Sequence, residues 1–597
     1  MEEKKMNKLY ISQYKSLKKY MGLLAIPLLL IFSLLLVSCD NTSLDDNLDN
    51  PNAVTEELAN LDLYWNSVQV NFADWWAGNQ TPMMHVSRMM AMTWGETYDI
   101  SYGPSSFNSS WNEAYADLIP DINQMIDKGI EQESWIHVAA GKILKGYVLQ
   151  MLVDKHGDIP YSQAFQGTVY PSPMVDTDED VYDAIIALYT DAITDLEKTN
   201  IGSPAVDIFY SNDKTHWTTL AHTLLFRAAV NKGDATGITD ALTAGVIDEK
   251  AEDFVFQYGT NRSNPDSRHP WYSEAYESYS GPYLSNYYMW EMHEEKGISD
   301  PRLRYYFKRQ DLNIVGEDLF TIDCVDPTSR PVWYDTAYTN AYGVTVTWPF
   351  CAASSLTTTD ASNAKGYWGR DHGNNDGTPP DGRKRTAYGV YPAGGQYDDG
   401  NAATGVFGSE VSHTQNGGTD GGGGDGHQPI LMSSHVYFMR AEAALLGLTS
   451  EDARTMLETA IRESIASVMS YSAGWASVGD FNGDGVGGVP ESRNIEAYVT
   501  YVLTAYDAAA DDGAKMNIIV KEMRLASWGN GIEPYNAMRR TGHPTEMQGP
   551  MKTESAGTFP NLFPYPADFT NLNANAPVRT DMSETVFWDT RRTGDLN

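Results

Sequence analysis

From about Leu61 to Val246 apolar residues recur at intervals of three and four, the spacing that lines one face of a helix. Ile136, Ala139, Ala140, Ile143, Tyr147, Val148, Met151 and Leu152 form one stripe; Val181, Ile185, Leu188, Tyr189, Ala192, Ile193 and Leu196 form the next. Between them DKHGDIPYSQAF carries Gly157 and Pro160 as breakers, which predicts two helices folded back as an antiparallel pair. A third stripe, Trp217, Leu220, Ala221, Leu224, Leu225 and Ala228, follows YSNDKTH. Helical pairs in series, with small residues where helices cross, predict tetratricopeptide-type stacking, although the consensus of that repeat is absent.

From about Gln257 to Pro429 the helical period fades and Gly, Pro, Asn, Asp and aromatic residues take over. A loop region this long is functional or disordered, and its Trp and Tyr content argues against disorder. Its tail, GGTDGGGGDG, reads as a flexible connector. After Ile430 helical stripes return in SSHVYFMRAEAALLGL, EDARTMLETAIRESIASVM, the stretch from Ile495 to Ala510 and AKMNIIVKEMRLASWGNGIEPYNAMRR. The fold class expected is therefore mainly α: a tetratricopeptide-like helical-pair scaffold at 61–256 and 431–597, interrupted by a loop-rich aromatic segment at 257–430.

The N-terminus follows a different pattern. Lys15, Lys18 and Lys19 precede an apolar run from Met21 that stops at Leu36-Val37-Ser38-Cys39. A basic start, an apolar stretch and small residues before the cut make an export signal, and a cysteine at the cut supplies a thiol for acylation. A transmembrane span needs about 20 apolar residues; this run is shorter and contains Pro27. The expectation is a signal peptide over 1–38, palmitate-type lipidation at Cys39, and an acidic flexible stalk over 39–60.

Removing residues 1–38 takes away six lysines and two glutamates and moves the net charge from −37 to −41. Nucleic acid is excluded as a natural partner, and attachment to anionic lipid must come from the acyl anchor rather than from a basic face. Cys324 and Cys351 lie in the loop-rich segment of an exported chain, where either a disulfide or two free thiols fits.

The sharpest chemical motif is Asp480-Phe-Asn482-Gly-Asp484-Gly485-Val486 running to Glu491. Oxygen ligands at Asp480, Asn482 and Asp484, the Val486 carbonyl and a carboxylate at Glu491 have the spacing of a calcium loop; a metal-free Gly/Asn turn is the competing reading. A second acidic string offers Asp371, Asn374, Asp376 and Asp381 in a spacing that fits no metal template. For ligand capture, sugars need flat aromatic faces rimmed by polar groups. Trp94, Tyr98 and Tyr102 in TWGETYDISYGPSSFNSSW, and Trp333, Trp348 and Trp368 in the central segment, are the loop aromatics that meet this need, each also able to serve as packing. A helical glycoside hydrolase with two carboxylates is the rival class, but HExxH, GxSxG and CxxC strings are absent.

PNAVTEE after the stalk, HGDIPYSQAF after a long helix, YFMRAEAALLG, EMRLASWGNGIEPYNAMRRTGHP and FPYPADFTNLNANAP occur in that order and span nearly all of residues 50 to 590. With the lipid-attachment signal, this set resembles the SusD/RagB family of nutrient-binding outer-membrane lipoproteins; His156 stands where that family commonly has an aromatic residue. The resemblance implies a helical body of four tetratricopeptide-like pairs, lipid-anchored and exposed at the cell outer membrane. It further implies capture of an oligosaccharide, or sometimes a peptide, for a SusC-like TonB-dependent transporter, without catalysis. Most residues in the family strings read as structural: Asp158 and Pro160 as a helix-ending turn, Arg440 and Glu442 as satisfied ions, Arg539 and Arg540 as anchors for carbonyls or carboxylates.

Overall fold

In the computed structural model, residues 60–202, 204, 206–278, 283–308, 336–348, 367, 369–374, 386–398, 421–470, 492–551, 557–579 and 581–592 are described. The elements below all fall in the unit Leu61–Asn597. The architecture is mainly helical. Its scaffold begins with α1 (Leu61–Gly78), α2 (Ile119–Glu131), α3 (Trp135–His156), α4 (Asp178–Glu197), α5 (Lys214–Lys232) and α6 (Ala235–Ala244). It resumes with α7 (Ser433–Leu445), α8 (Ala453–Ser470), α9 (Ser492–Ala508), α10 (Asp512–Ala526) and α11 (Ile532–Thr541).

The pair α3 and α4 shows why these segments are helical pairs. The stripe of α3 is buried along its length, and Gly157 ends the helix at φ +74°, where a side chain would be strained. Asp158 then accepts from the backbone N–H of Asp178 at 2.9 Å, which ties the turn to the start of α4. Thr177 caps α4 by accepting from Asp180 N–H, and the first turn holds Asp178, Glu179 and Asp180 at the positive end of the helix dipole. Lys142–Asp195 at 2.6 Å and Tyr189–Gln150 at 3.2 Å set the antiparallel register. Gly146 makes room for it: a Cβ there would lie 2.5 Å from the Tyr189 ring. His156, the family's aromatic position, is buried edge-on to Phe107 and Trp111 with ring centroids at 5.3 and 5.5 Å, and its Nδ1 lies 3.1 Å from the Pro564 carbonyl.

The chain leaves the first helical part through strand β1 (Phe254–Gln257) and returns through β6 (His427–Leu431), which pair antiparallel from Phe254↔Leu431 to Gln257↔His427. This ladder brackets the loop-rich segment. Inside the segment lie two further short pairs, β2 (Phe307–Lys308) with β5 (Ala387–Tyr388), and β3 (Ala337–Thr339) with β4 (Thr345–Thr347).

Two apolar clusters result. The larger fills the helical scaffold, and both Trp75 and Trp76 belong to it. The smaller gathers Tyr272, Tyr276, Tyr288, Tyr306, Phe307 and Tyr388 around Trp528, which follows α10. Trp528 lies 5.3 Å from Trp271, 5.0 Å from Phe307 and 5.6 Å from Tyr288, centroid to centroid. Among the described residues, the aromatics of this cluster therefore weld the insertion to the scaffold.

The glycine tail also differs from expectation. A Cβ on Gly426 would sit 2.1 Å from the Pro392 carbonyl oxygen, and one on Gly421 would sit 2.0 Å from that of Gly395. Over Gly421–Gly426 the glycines permit close backbone packing instead of forming a loose connector.

The family-string ions are satisfied internally. Arg440 pairs with Glu451, Glu442 with Arg540, and Arg539 donates to the Asn561 carbonyl at 2.6 Å. Cys39, Cys324 and Cys351 lie outside the described residues.

Candidate functional site

After the short helix Thr81–Val86 the chain runs along the insertion, with Ala91 N–H donating to the Tyr283 carbonyl at 2.9 Å. It then turns outward at Trp94-Gly95. A Cβ on Gly95 would lie 2.7 Å from Cγ2 of Ile100, so glycine lets Ile100 close over the turn. Ser101 Oγ donates to the Gly95 carbonyl at 3.3 Å and fixes it. The outcome is a pair of open apolar side chains: Trp94 is 76% exposed and Ile100 is 63% exposed.

Tyr98 and Tyr102 are only 2% and 5% exposed, which favours the packing alternative for these two rings. The single-turn helix Tyr98–Ser101 directs both inward, stacked at 6.3 Å and 14°. Tyr98 meets His372, hydroxyl to Nε2, at 3.3 Å, and Tyr102 packs edge-on to Phe563. Together they floor a pocket of about 310 Å³ whose other walls are Asp99, Gly103, Pro104, Gly557, Thr558, Pro564, Arg579, Asp581 and Met582.

The backing of this loop is rigid. Gly373 N–H donates to Met92 O at 2.9 Å, Met551 N–H to His372 O at 2.8 Å, and Gln548 Nε2 to Asp371 at 2.8 Å. Asp371 and Asn374 are thus buried structural residues; Asp376 and Asp381 lie outside the described residues. Burial pushes the His85 imidazole down to about 4 and His372 well below the usual histidine range, with Arg88 adding to the latter, so both are neutral at pH 7. Asp581 is held below the usual carboxylate range by hydrogen bonds from Ser583. Arg579 is consumed by the carbonyls of His156 and Phe563, each at 2.8 Å, and by Glu584.

Trp348 belongs to another aromatic set: it follows β4, half-buried, stacked on Tyr338 at 3.9 Å and 19° and lying 5.9 Å from Tyr287. Trp333 and Trp368 lie outside the described residues, as do Asp480, Asn482, Asp484, Val486 and Glu491. Among the described residues no group of three or more His, Cys, Asp or Glu is placed to hold a metal ion. Sequence reasoning missed Ile100, Asp99, Thr558, Arg579 and Asp581. A search for aromatic platforms does not select aliphatic or charged walls.

A family model described as starch-binding and associating with the outer membrane matches residues 52–330. A second, described as SusD and RagB outer membrane lipoprotein, matches residues 425–579. No curated protein matches the sequence. Among solved structures, a SusD homologue from Bacteroides fragilis is similar with a TM-score of 0.61 at 16% identity, covering 89% of this chain and 99% of that one. A chitin-binding protein gives 0.59 at 18%, covering 89% and 100%. A chitin-binding SusD homologue from Flavobacterium johnsoniae gives 0.55 at 16%, covering 90% and 100%. At these identities the structural likeness carries the fold.

Proposed function

Because the chain belongs to the SusD/RagB family of outer-membrane lipoproteins, we propose that it captures an oligosaccharide on the Trp94 face and delivers it to a SusC-like TonB-dependent transporter. The observation that carries this reading is Trp94 itself. A tryptophan 76% exposed, on a turn braced from behind by the insertion and followed by Tyr98 and Tyr102, which line a pocket of about 310 Å³, is a preformed stacking platform. Asp99, Thr558 and Asp581 supply acceptors and a hydroxyl for the sugar rim. Relatives described as chitin-binding make N-acetylglucosamine oligomers the first ligands to try.

The mechanism is non-covalent capture. In this reading lipidation at Cys39 anchors the protein at the outer membrane. Trp333 and Trp368 extend the list of residues to be tested as ligand contacts.

The test is calorimetric titration with neutral oligosaccharides and oligopeptides, together with chromatography of the recovered ligand. Micromolar binding with intact ligand supports capture. Shortened oligosaccharide products overturn it in favour of a hydrolase, and silence across the panel overturns glycan and peptide capture together. Co-purification with a large β-barrel tests delivery separately.

A further inference from the structure

A second cleft, of about 790 Å³, lies between α2, α3 and the loop that follows α3, and it shares no lining residue with the pocket lined by Tyr98 and Tyr102. Its volume is in the range of ligand sites. Three features distinguish it from an ordinary surface groove.

The first is Phe165. It stands at φ +62°, a conformation that bulky residues rarely adopt and that persists only where surrounding structure enforces it. One face of its ring lies on Tyr115, centroids 5.7 Å apart and planes at 13°, while 39% of the residue remains exposed. The ring is thus held in place with its outer surface open.

The second is the bracing beneath it. The Asp176 carboxylate accepts from Tyr161 N–H at 2.8 Å, from Ser162 N–H at 2.9 Å and from the Ser162 hydroxyl. Gln163 accepts from Met174 N–H at 2.9 Å, and Gln166 donates to the Ser162 carbonyl at 2.7 Å. A loop tied this way presents its aromatic tip without ordering on binding.

The third is the opposite wall. Asn123 and Gln124 come from α2, and Lys142 and Lys145 from α3. Lys142 is taken up by Asp195 at 2.6 Å and Asp191 at 3.8 Å. Lys145 donates to Asn123 Oδ1 at 2.7 Å, which leaves N–H donors on its ammonium without a partner among the described residues. The side-chain amides of Asn123 (Nδ2) and Gln124 likewise have none. The two lysines are outnumbered by Asp127, Asp191 and Asp195, so the cleft offers hydrogen bonds without a positive field for an anionic ligand.

We infer that this cleft is a second saccharide subsite, separate from the Trp94 face. It takes a neutral sugar whose ring lies on Phe165 and whose hydroxyls meet Asn123, Gln124 and Lys145. It stands or falls independently of the Trp94 reading.

The test uses the full chain in detergent, titrated with the hexamers of N-acetylglucosamine, α-1,4-glucose and β-1,4-glucose. Phe165→Gly removes the ring while suiting the backbone at φ +62°, so its thermal midpoint should equal or exceed that of the parent. Two binding events are expected in the parent and one in Phe165→Gly; Asn123→Ala should weaken the second event at least five-fold. One event lost in Phe165→Gly and kept in Trp94→Ala supports this cleft and sinks the Trp94 site. One event lost in Trp94→Ala and indifferent to Phe165→Gly overturns the cleft alone. Binding confined to uronic-acid oligomers, or no binding to any hexamer, also overturns it.

Discussion

Glu442 of α7 and Arg540 of α11 form a two-point ion pair, Nε to Oε1 at 2.8 Å and Nη2 to Oε2 at 2.7 Å, with each side chain 1% exposed. The third arm of Arg540 donates to Asn231 at the end of α5 at 2.6 Å, so helices from both ends of the sequence meet at one guanidinium. Removing one partner leaves an uncompensated buried charge. Arg540→Ala or Glu442→Ala should each lose about 3–5 kcal/mol in denaturant unfolding, and a well-packed Leu/Met replacement of both should recover most of it. Equal loss in the single and double replacements would show that the charge pairing is irrelevant.

Asp253, just before β1, accepts from Ser433 N–H at the start of α7 at 2.6 Å. Burial pushes its carboxyl up to about 7 from an ordinary 3.8; Ser433 and Lys250 pull it down and Glu463 pushes it further up. The folded state therefore holds this proton more tightly than the unfolded chain. That contribution is fully present below about pH 4 and is lost as pH rises through 7, amounting to at most about 4 kcal/mol. Asp253→Asn keeps the acceptor and cannot ionise. Its stability relative to the parent should rise between about pH 4 and 8; a constant difference would place the titration elsewhere.

The contrast between these two residues shows what a sequence can convey. The stripe of α3 requires only the local three-and-four spacing, so helices α3 to α5 were legible from their own residues. Arg440 and Glu442, two positions apart on an apolar helix, announced that ions had to be satisfied. Their partners, Glu451 and Arg540, are chosen by how helices pack, which no local pattern encodes. The same limit explains the aromatics. Tyr98 and Trp94 are four residues apart in one loop, and only the turn at Gly95 and the contact with His372 decide that one ring is enclosed and the other open.

The glycine tail gives a sharp test of backbone packing. At Gly426 a Cβ would collide with Pro392 O and the Ala393 carbonyl carbon, which are main-chain atoms that cannot swing away. Gly447, at φ +70°, has open space on that side, with nothing within 4 Å of where a Cβ would stand. Gly426→Ala should therefore cost about 3 kcal/mol or more, and Gly447→Ala about 1–2 kcal/mol from backbone strain alone. Thermal unfolding of the two variants measures the gap; equal midpoints would mean that Gly421–Gly426 is a loose connector after all.

The run from Asp480 to Glu491 has the oxygen-ligand spacing of a calcium loop. If calcium braces it, the ion binds the native chain only. Calcium at about 100 times its dissociation constant should then add about 2.7 kcal/mol over chelator. Asp480→Asn with Asp484→Asn should abolish the difference without lowering stability in chelator. Identical unfolding curves with calcium and with chelator would return the segment to a metal-free turn.

Trp94 is the most direct functional test because its exposure separates binding from folding. At 76% exposed it contributes little to the core, so Trp94→Ala should leave stability within about 0.5 kcal/mol. If its ring stacks on a sugar, affinity at that face should fall at least ten-fold, about 1.4 kcal/mol. Tyr98→Ala is the instructive counterpart: that ring is enclosed between Tyr102 and His372, so its loss should cost about 3–5 kcal/mol of stability. Tyr98 also lines the pocket of about 310 Å³, so any loss of binding in Tyr98→Ala is to be read against its measured loss of stability. Tyr98→Phe keeps the ring, gives up only the 3.3 Å contact with His372, and should bind as the parent does. A Trp94→Ala protein that binds every oligosaccharide as tightly as the parent would remove the platform from the capture mechanism.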